Sequence, residues 1–398
     1  MAAYFKRWAL LTLVMLALVA GLAYVTDPYG LYRAYEAHER KPHAGSQGAL
    51  VKPYRSLQVS PRTLILGNSR AEVGFDPADP AWPGNVRPVY NLALPGTGTR
   101  VWRRLFEHVQ ARRPPAMLVL GVDFMDFLLA PDAPAREPEL GARLLVGPDG
   151  RENSLRWLAG LSDGAHTLAS LDALGHSLDT LRRRGDSDSA HLTAMGFNPM
   201  SDYRALAARE GYFALFRQRD VENLRQYRKR PRNLFRPGAR DSVAFDDLSA
   251  VLEQARMHGV KVDVVIYPYH GHLLETFRIA GLWPWFEEWK RELTARVAAH
   301  DDHARLWDFS AYHRYAREAV PKAGDLRGTV AHYWEAGHFK SALGHAMLQR
   351  MTGAGEPGFG AMLTPAMLDA HFTAIRRDGE GYRRERVDEI AALERLAR

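Results

Sequence analysis

An uncharged run from Trp8 to Val25, WALLTLVMLALVAGLAYV, constrains this chain more than any other feature. As a helix, at about 1.5 Å of rise per residue, it reaches roughly 27 Å, which is enough to cross the hydrocarbon core of a bilayer. Lys6 and Arg7 precede the run and Asp27 follows it. Basic flanks stay on the cytoplasmic side, so the N-terminus is expected inside and everything after Thr26 outside. The competing reading is a cleaved signal peptide with Gly21-Leu22-Ala23 as its small-x-small site. The length of the run, and Tyr24 where an interfacial anchor belongs, favour an uncleaved signal-anchor. A buried helix at the surface of a soluble core would keep a polar face, and this run has none.

The remainder of the 398 residues, with 46% hydrophobic and 10% aromatic content overall, is ample for a large folded core and excludes a disordered chain. The formal charge of +7 comes from scattered basic residues. No zinc-finger, basic-zipper or ribonucleoprotein motif accompanies them, so no nucleic-acid partner is expected. A basic surface near anionic lipid or acidic polymers fits better. The absence of cysteine excludes disulfides, thiolate metal sites and a cysteine nucleophile.

Residues 27–60 are polar and rich in Pro and Gly, and read as a membrane-proximal stalk. A regular alternation begins at residue 61. Thr63–Leu66, Val89–Leu94 and Met117–Val122 are short apolar runs, with a helix expected over Trp102–Gln110. From about Ala130 to Arg240 the pattern pauses in Arg- and Ala-rich helical stretches, read as a helical insertion. It resumes with a helix Phe245–His258, a strand Val262–Tyr267, a helix Pro284–Ala299, a strand Ala304–Phe309 and a helix Leu343–Met351. Continuous apolar strands alternating with helices indicate a parallel sheet covered on both faces. The domain is therefore expected over 61–352, and residues 353–398 as a solvated, charged helical tail.

In an open parallel sheet, ligands bind outside the carboxyl ends of the strands. Gly67-Asn68-Ser69, Pro95-Gly96-Thr97-Gly98, Gly121-Val122-Asp123 and Tyr267-Pro268-Tyr269-His270 all fall there, and Glu335-x-x-His338 can fold back over the same edge. A serine needs a base to take its proton, and a histidine oriented by a carboxylate supplies one.

In this order the segments resemble the SGNH (GDSL-like) hydrolase superfamily, above all its membrane-anchored members that O-acetylate alginate or D-alanylate teichoic acids. The resemblance covers roughly residues 60–130 and 258–352 and leaves the insertion unexplained. It implies a flavodoxin-like three-layer α/β fold, with Ser69 the nucleophile, His338 the base and Glu335 its orienter. It also implies an oxyanion hole drawn from Ser69, Gly96 and the third-block residue, here Asp123. That block ordinarily carries an Asn whose amide donates, and an ionised carboxylate cannot. Either Asp123 is protonated, or the hole rests on the N–H groups of Ser69 and Gly96.

Arg70, Asn91 and His270 are the candidate substrate contacts. Arg70 has a competing fate in an ion pair with Glu72 or Asp76, and Asp308 is a rival for the triad acid. His270-Gly271-His272 lacks a further ligand at zinc-site spacing, and Thr97-Gly98-Thr99 lacks the lysine of a phosphate loop, so neither metal nor cofactor is expected. The implied activity is an extracytoplasmic O-acyl, chiefly O-acetyl, esterase or transferase on a cell-surface or secreted polysaccharide, working beside envelope-biosynthesis proteins. Two rivals differ in class: a non-catalytic glycan-binding or scaffolding module, and a lipid or thioester hydrolase needing an apolar acyl tunnel.

Overall fold

The structure, a computed structural model, describes residues 1–398 except 34, 37, 38, 129–138, 230–232, 237, 239–241 and 398. Both expected ends of the insertion, Ala130 and Arg240, lie outside the described residues. The apolar run forms helix α1 (Ala2–Thr26), long and apolar enough to cross a membrane. Asp27 ends it in a left-handed conformation, and its carboxylate accepts the N–H groups of Leu31, Tyr32 and Arg33.

The expected stalk is not extended. It contains helix α2 (Gly48–Val59), and Leu50 and Val51 join Tyr29 and Leu31 in a small apolar cluster. Lys52 of α2 is fully buried, its Nζ 2.8 Å from Glu72 Oε1 and 2.6 Å from the carbonyl of Ala93. A buried ammonium needs such partners, and these two belong to the sheet domain, so the segment is fastened to it.

Chain order then runs β1 (Thr63–Leu66), α3 (Ser69–Gly74), β2 (Val89–Asn91), α4 (Thr99–Arg112) and β3 (Met117–Val122). The insertion holds α5 (Arg156–Ala169), α6 (Leu171–Arg182), α7 (Ser201–Glu210) and α8 (Tyr212–Tyr227). After it come α9 (Val243–Met257), β4 (Lys261–Ile266), α10 (Gly271–Ile279), α11 (Trp283–Ala298) and β5 (Ala304–Asp308). The chain closes with β6 (Tyr333–Glu335), β7 (His338–Phe339), α12 (Ser341–Met351), β8 (Ala361–Leu363), α13 (Leu368–Glu385) and α14 (Val387–Leu396).

The six-stranded sheet has the order β2-β1-β3-β4-β5-β8, parallel throughout except for β8, which runs antiparallel to β5. Strands β1, β2 and β5 carry almost entirely buried residues, as a sheet covered on both faces requires. Right-handed crossovers put α3 on one face and α4, α9 and α11 on the other. Contacts of α3 with α12, and of α9 with α4 and α11, agree with that division. The order reverses direction between β1 and β3, the switch point where a doubly wound sheet opens a crevice.

The C-terminal segment departs from the solvated tail expected of it. Strand β8 extends the sheet, and Phe372, Ile375, Tyr382, Ile390 and Leu393 of α13 and α14 are buried. Charge on the outward faces masked an apolar stripe at helical spacing.

Candidate active site

The turn beyond the carboxyl ends of β1 and β3 is built first from glycine. Gly67 has φ of +148°, and a β-carbon there would lie 2.4 Å from the Tyr267 hydroxyl; one on Gly121 would lie 2.3 Å from it. Only glycine on both strands admits Tyr267, whose hydroxyl accepts the N–H of Asn68 at 3.4 Å. Asn68 caps α3, its Oδ1 accepting the N–H of Arg70 at 3.1 Å. Its Nδ2 donates to Asp126 at 3.0 Å and to Asp123 at 3.3 Å. With the turn pinned in this way, Ser69 takes the first position of α3.

Ser69 Oγ is 2.8 Å from His338 Nε2, across 269 residues of sequence. His338 Nδ1 meets Glu335 Oε1 in a short hydrogen bond. Both residues sit on the β6–β7 hairpin, where Glu335 and His338 pair across a tight turn at Ala336-Gly337. The Glu-x-x-His spacing is thus a two-residue hairpin, which sets acid and base side by side. Glu335 is buried, and its Oε2 accepts the N–H of Gly337 at 2.8 Å with Arg219 Nε of α8 at 3.5 Å. Burial pushes its carboxyl upward, but the attraction and hydrogen bond of His338, with Arg219 and the Gly337 N–H, outweigh it and hold the group at about 2. The carboxylate stays ionised, which favours the imidazole tautomer with hydrogen on Nδ1 and a free electron pair on Nε2 facing the serine.

Arg70 does not face an incoming ligand. Its guanidinium forms a tight ion pair with Asp123 and donates from Nε to the carbonyl of Gly337 at 2.7 Å. Neither Glu72, which pairs with Lys52, nor Asp76 is its partner. Asp123 also accepts from the N–H of Met125 at 3.0 Å and from the Tyr269 hydroxyl at 3.1 Å. With both oxygens accepting beside a guanidinium, Asp123 is a carboxylate and cannot donate to an oxyanion. The N–H of Ser69 and that of Gly96 have no hydrogen-bond partner among the described residues, and Gly96 stands exposed in a turn with φ of +69°.

Two other expected substrate contacts are structural. Asn91 is fully buried and donates to the carbonyls of Ala71 and Phe75 at 2.9 and 2.8 Å while accepting the N–H of Ala93. It ties β2 to α3 and has no open face. His270 is also fully buried, with Nε2 on the carbonyl of Glu318 at 2.8 Å and Nδ1 capping α10. Its neighbour His272 lies between Asp220 at 2.9 Å and Glu389 at 3.2 Å. Among the described residues no group of three or more His, Asp or Glu gathers as a metal site. Asp308 pairs with Lys290 and His371, both at 2.7 Å, and is no rival for Glu335.

Arg219 was not foreseen as part of the site, and Tyr269 was foreseen only as part of an edge segment, with no role of its own. Arg219 is one arginine among many in the insertion, and nothing local marks it. Compared with known protein families and with curated proteins, the chain matches none.

Proposed function

We propose that this chain is a single-pass protein of a bacterial inner membrane, with an SGNH-hydrolase-like domain in the periplasm acting as a serine O-acyl, chiefly O-acetyl, esterase or transferase. The observation that carries the reading is the 2.8 Å contact of Ser69 Oγ with His338 Nε2, with Glu335 on the far nitrogen. Serine–base and base–acid contacts together are what an activated nucleophile requires.

In the proposed reaction Ser69 Oγ attacks the acyl carbonyl while its proton passes to His338 Nε2. Glu335 stabilises the imidazolium that results. The negative charge on the carbonyl oxygen is met by the N–H groups of Ser69 and Gly96. The tetrahedral adduct collapses, the alcohol leaves with the proton from His338, and the acyl group stays on Ser69. Water or a sugar hydroxyl then gives its proton to His338 and attacks the ester, releasing acid or acylated sugar and restoring Ser69. The apolar α1 and the basic domain support a site at the envelope, and a cell-surface or secreted polysaccharide is the proposed substrate, handled with envelope-assembly partners.

The experiment is turnover of para-nitrophenyl acetate by the detergent-solubilised full chain, beside Ser69→Ala and His338→Ala. Loss of about a hundredfold or more in both variants is expected. A second reading, a non-catalytic glycan-binding or scaffolding module, is favoured by Asp123 standing where an amide donor belongs. Equal rates with and without the Ser69 hydroxyl would select it.

A further inference from the structure

Helices α5 and α6 are built inside out. On α5, Trp157, Leu158 and Leu161 are 60%, 48% and 64% exposed, and Ala165 and Ala169 share their face, while Asp163 and Thr167 are buried. On α6, Leu171, Leu178 and Leu181 are 86%, 55% and 49% exposed, while Ala173, Ser177 and Thr180 point inward. A helix covering a water-soluble core has the opposite polarity.

The inward polar groups are held by the protein. Asp163 receives Arg143 through two bonds at 2.7 Å and the Tyr54 hydroxyl at 2.8 Å. Thr167 meets the Tyr32 hydroxyl, and His176 meets that of Tyr29 at 2.9 Å. Ser177 donates to the carbonyl of Ala173 at 2.6 Å, and of these inward groups only the Thr180 hydroxyl has no partner, so the inversion is a settled arrangement whose apolar face is left without a partner among the described residues.

Both helices pack against α1. The contact surface of α1 is its last two turns, where Ala23 and Thr26 are buried and Val19, Ala20 and Leu22 are half-buried. The exposed leucines of α5 and α6 are thus carried on helices that pack directly against the end of α1. Among the exposed residues of the two helices, charge is kept to the ends of α6: Asp172 stands at its start and Arg182 at its end, with Arg183 and Arg184 following, while Asp163 and Asp179 are held in ion pairs.

We propose that α5 and α6 are an interfacial anchor, seated in the outer leaflet with Trp157, Leu158 and Leu161 of α5 and the three exposed leucines of α6 among the acyl chains. Arg182–Arg184 then reach anionic headgroups, and Trp157 sits at the level aromatic side chains prefer. The inference rests on the reading of α1 as a membrane span, and adds that the domain is docked on the bilayer rather than held away from it.

The chain has no cysteine, so single introduced cysteines report cleanly. Leu161→Cys and Leu178→Cys would be nitroxide-labelled in the full chain, reconstituted into vesicles of phosphatidylcholine with a quarter phosphatidylglycerol. Val14→Cys in α1 and Ser187→Cys in an exposed loop are the references. Accessibility to oxygen, which concentrates in lipid, is compared with that to a water-soluble nickel chelate. The expected result is labels at 161 and 178 that favour oxygen over nickel at least threefold more than the label at 187, as at position 14. Labels at 161 and 178 that behave like the one at 187, with position 14 lipid-exposed, overturn the inference and leave the α1 reading standing. A water-exposed label at position 14 overturns both. Protection from both probes means a protein covers the face and also overturns it, with dipolar broadening between labels identifying a second copy as the cover.

Discussion

Arg70 joins Asp123 beneath the Ser69 turn and, through the same guanidinium, holds the carbonyl of Gly337 beside His338. One side chain therefore ties the segment carrying the serine to the hairpin carrying its base. Arg70→Ala strands Asp123, which is 1% exposed, without its counter-charge. Removing one partner of a buried pair costs about 3–5 kcal/mol, measurable as lowered stability to urea. Arg70→Lys restores only part of it, because an ammonium cannot span both acceptors in the fork geometry of a guanidinium. Unchanged stability in Arg70→Ala would rule out the pair.

Glu335→Gln keeps the shape of the acid but lets an amide donate to Nδ1 and fix the wrong tautomer. Ester turnover is expected to fall about 10⁴-fold, with the fold intact by circular dichroism. Arg219→Ala removes a contact at 3.5 Å from a part-exposed arginine, and its effect should stay within about tenfold. A larger loss in Arg219→Ala than in Glu335→Gln would reverse these roles.

His272 supplies a pH signature of its own. Burial alone would lower its pKa, but Asp220 and Glu389 outweigh it and raise it to about 9. A folded-state pKa above the unfolded value of about 6.5 stabilises fully below that value. The contribution, roughly 3 kcal/mol, is lost as pH climbs from 6.5 through 9. Melting temperature should fall over that window in the parent and far less in His272→Gln. Parallel curves for the two would refute the linkage.

Gly121→Ala puts a methyl group 2.3 Å from the Tyr267 hydroxyl and close to its ring. Overpacking of this kind costs about 1–3 kcal/mol and displaces Tyr267 from the N–H of Asn68. Stability and ester turnover should fall together, and Tyr267→Phe in the same chain, which removes the atom closest to the new methyl, should recover part of the stability without turnover. A Gly121→Ala protein that melts like the parent would show that the two strands have more room than this geometry allows.

The central strands were legible because each is an apolar run with nowhere to go but a covered sheet: Thr63–Leu66, Met117–Val122 and Val262–Tyr267 fall within a residue of their observed bounds. Ser69, Glu335 and His338 were legible as an ordered set, and the structure brings them together. Asn91 and His270 misled because a polar residue at a strand end serves equally to cap, to bridge or to bind, and local pattern does not separate these. Strand β8 has three residues and pairs with β5 more than fifty positions earlier, a partnership that hydrophobic periodicity does not encode. Lys52 was hidden for the same reason: its partners Glu72 and Ala93 are distant in sequence, and a lone lysine in a polar segment reads as solvated.

The separation of Ser69 from His338 also has a consequence in time. At about 5–20 residues per second of synthesis, roughly 15–50 s pass between the appearance of the serine and that of its histidine. Throughout that interval Ser69 is an ordinary hydroxyl on an emerging chain. The hairpin that completes the pair is made after the five parallel strands of the sheet, so a polypeptide cut short before it lacks the base and the acid that the proposed reaction needs. In the proposed mechanism, the order of synthesis alone keeps the serine unactivated until the hairpin has emerged.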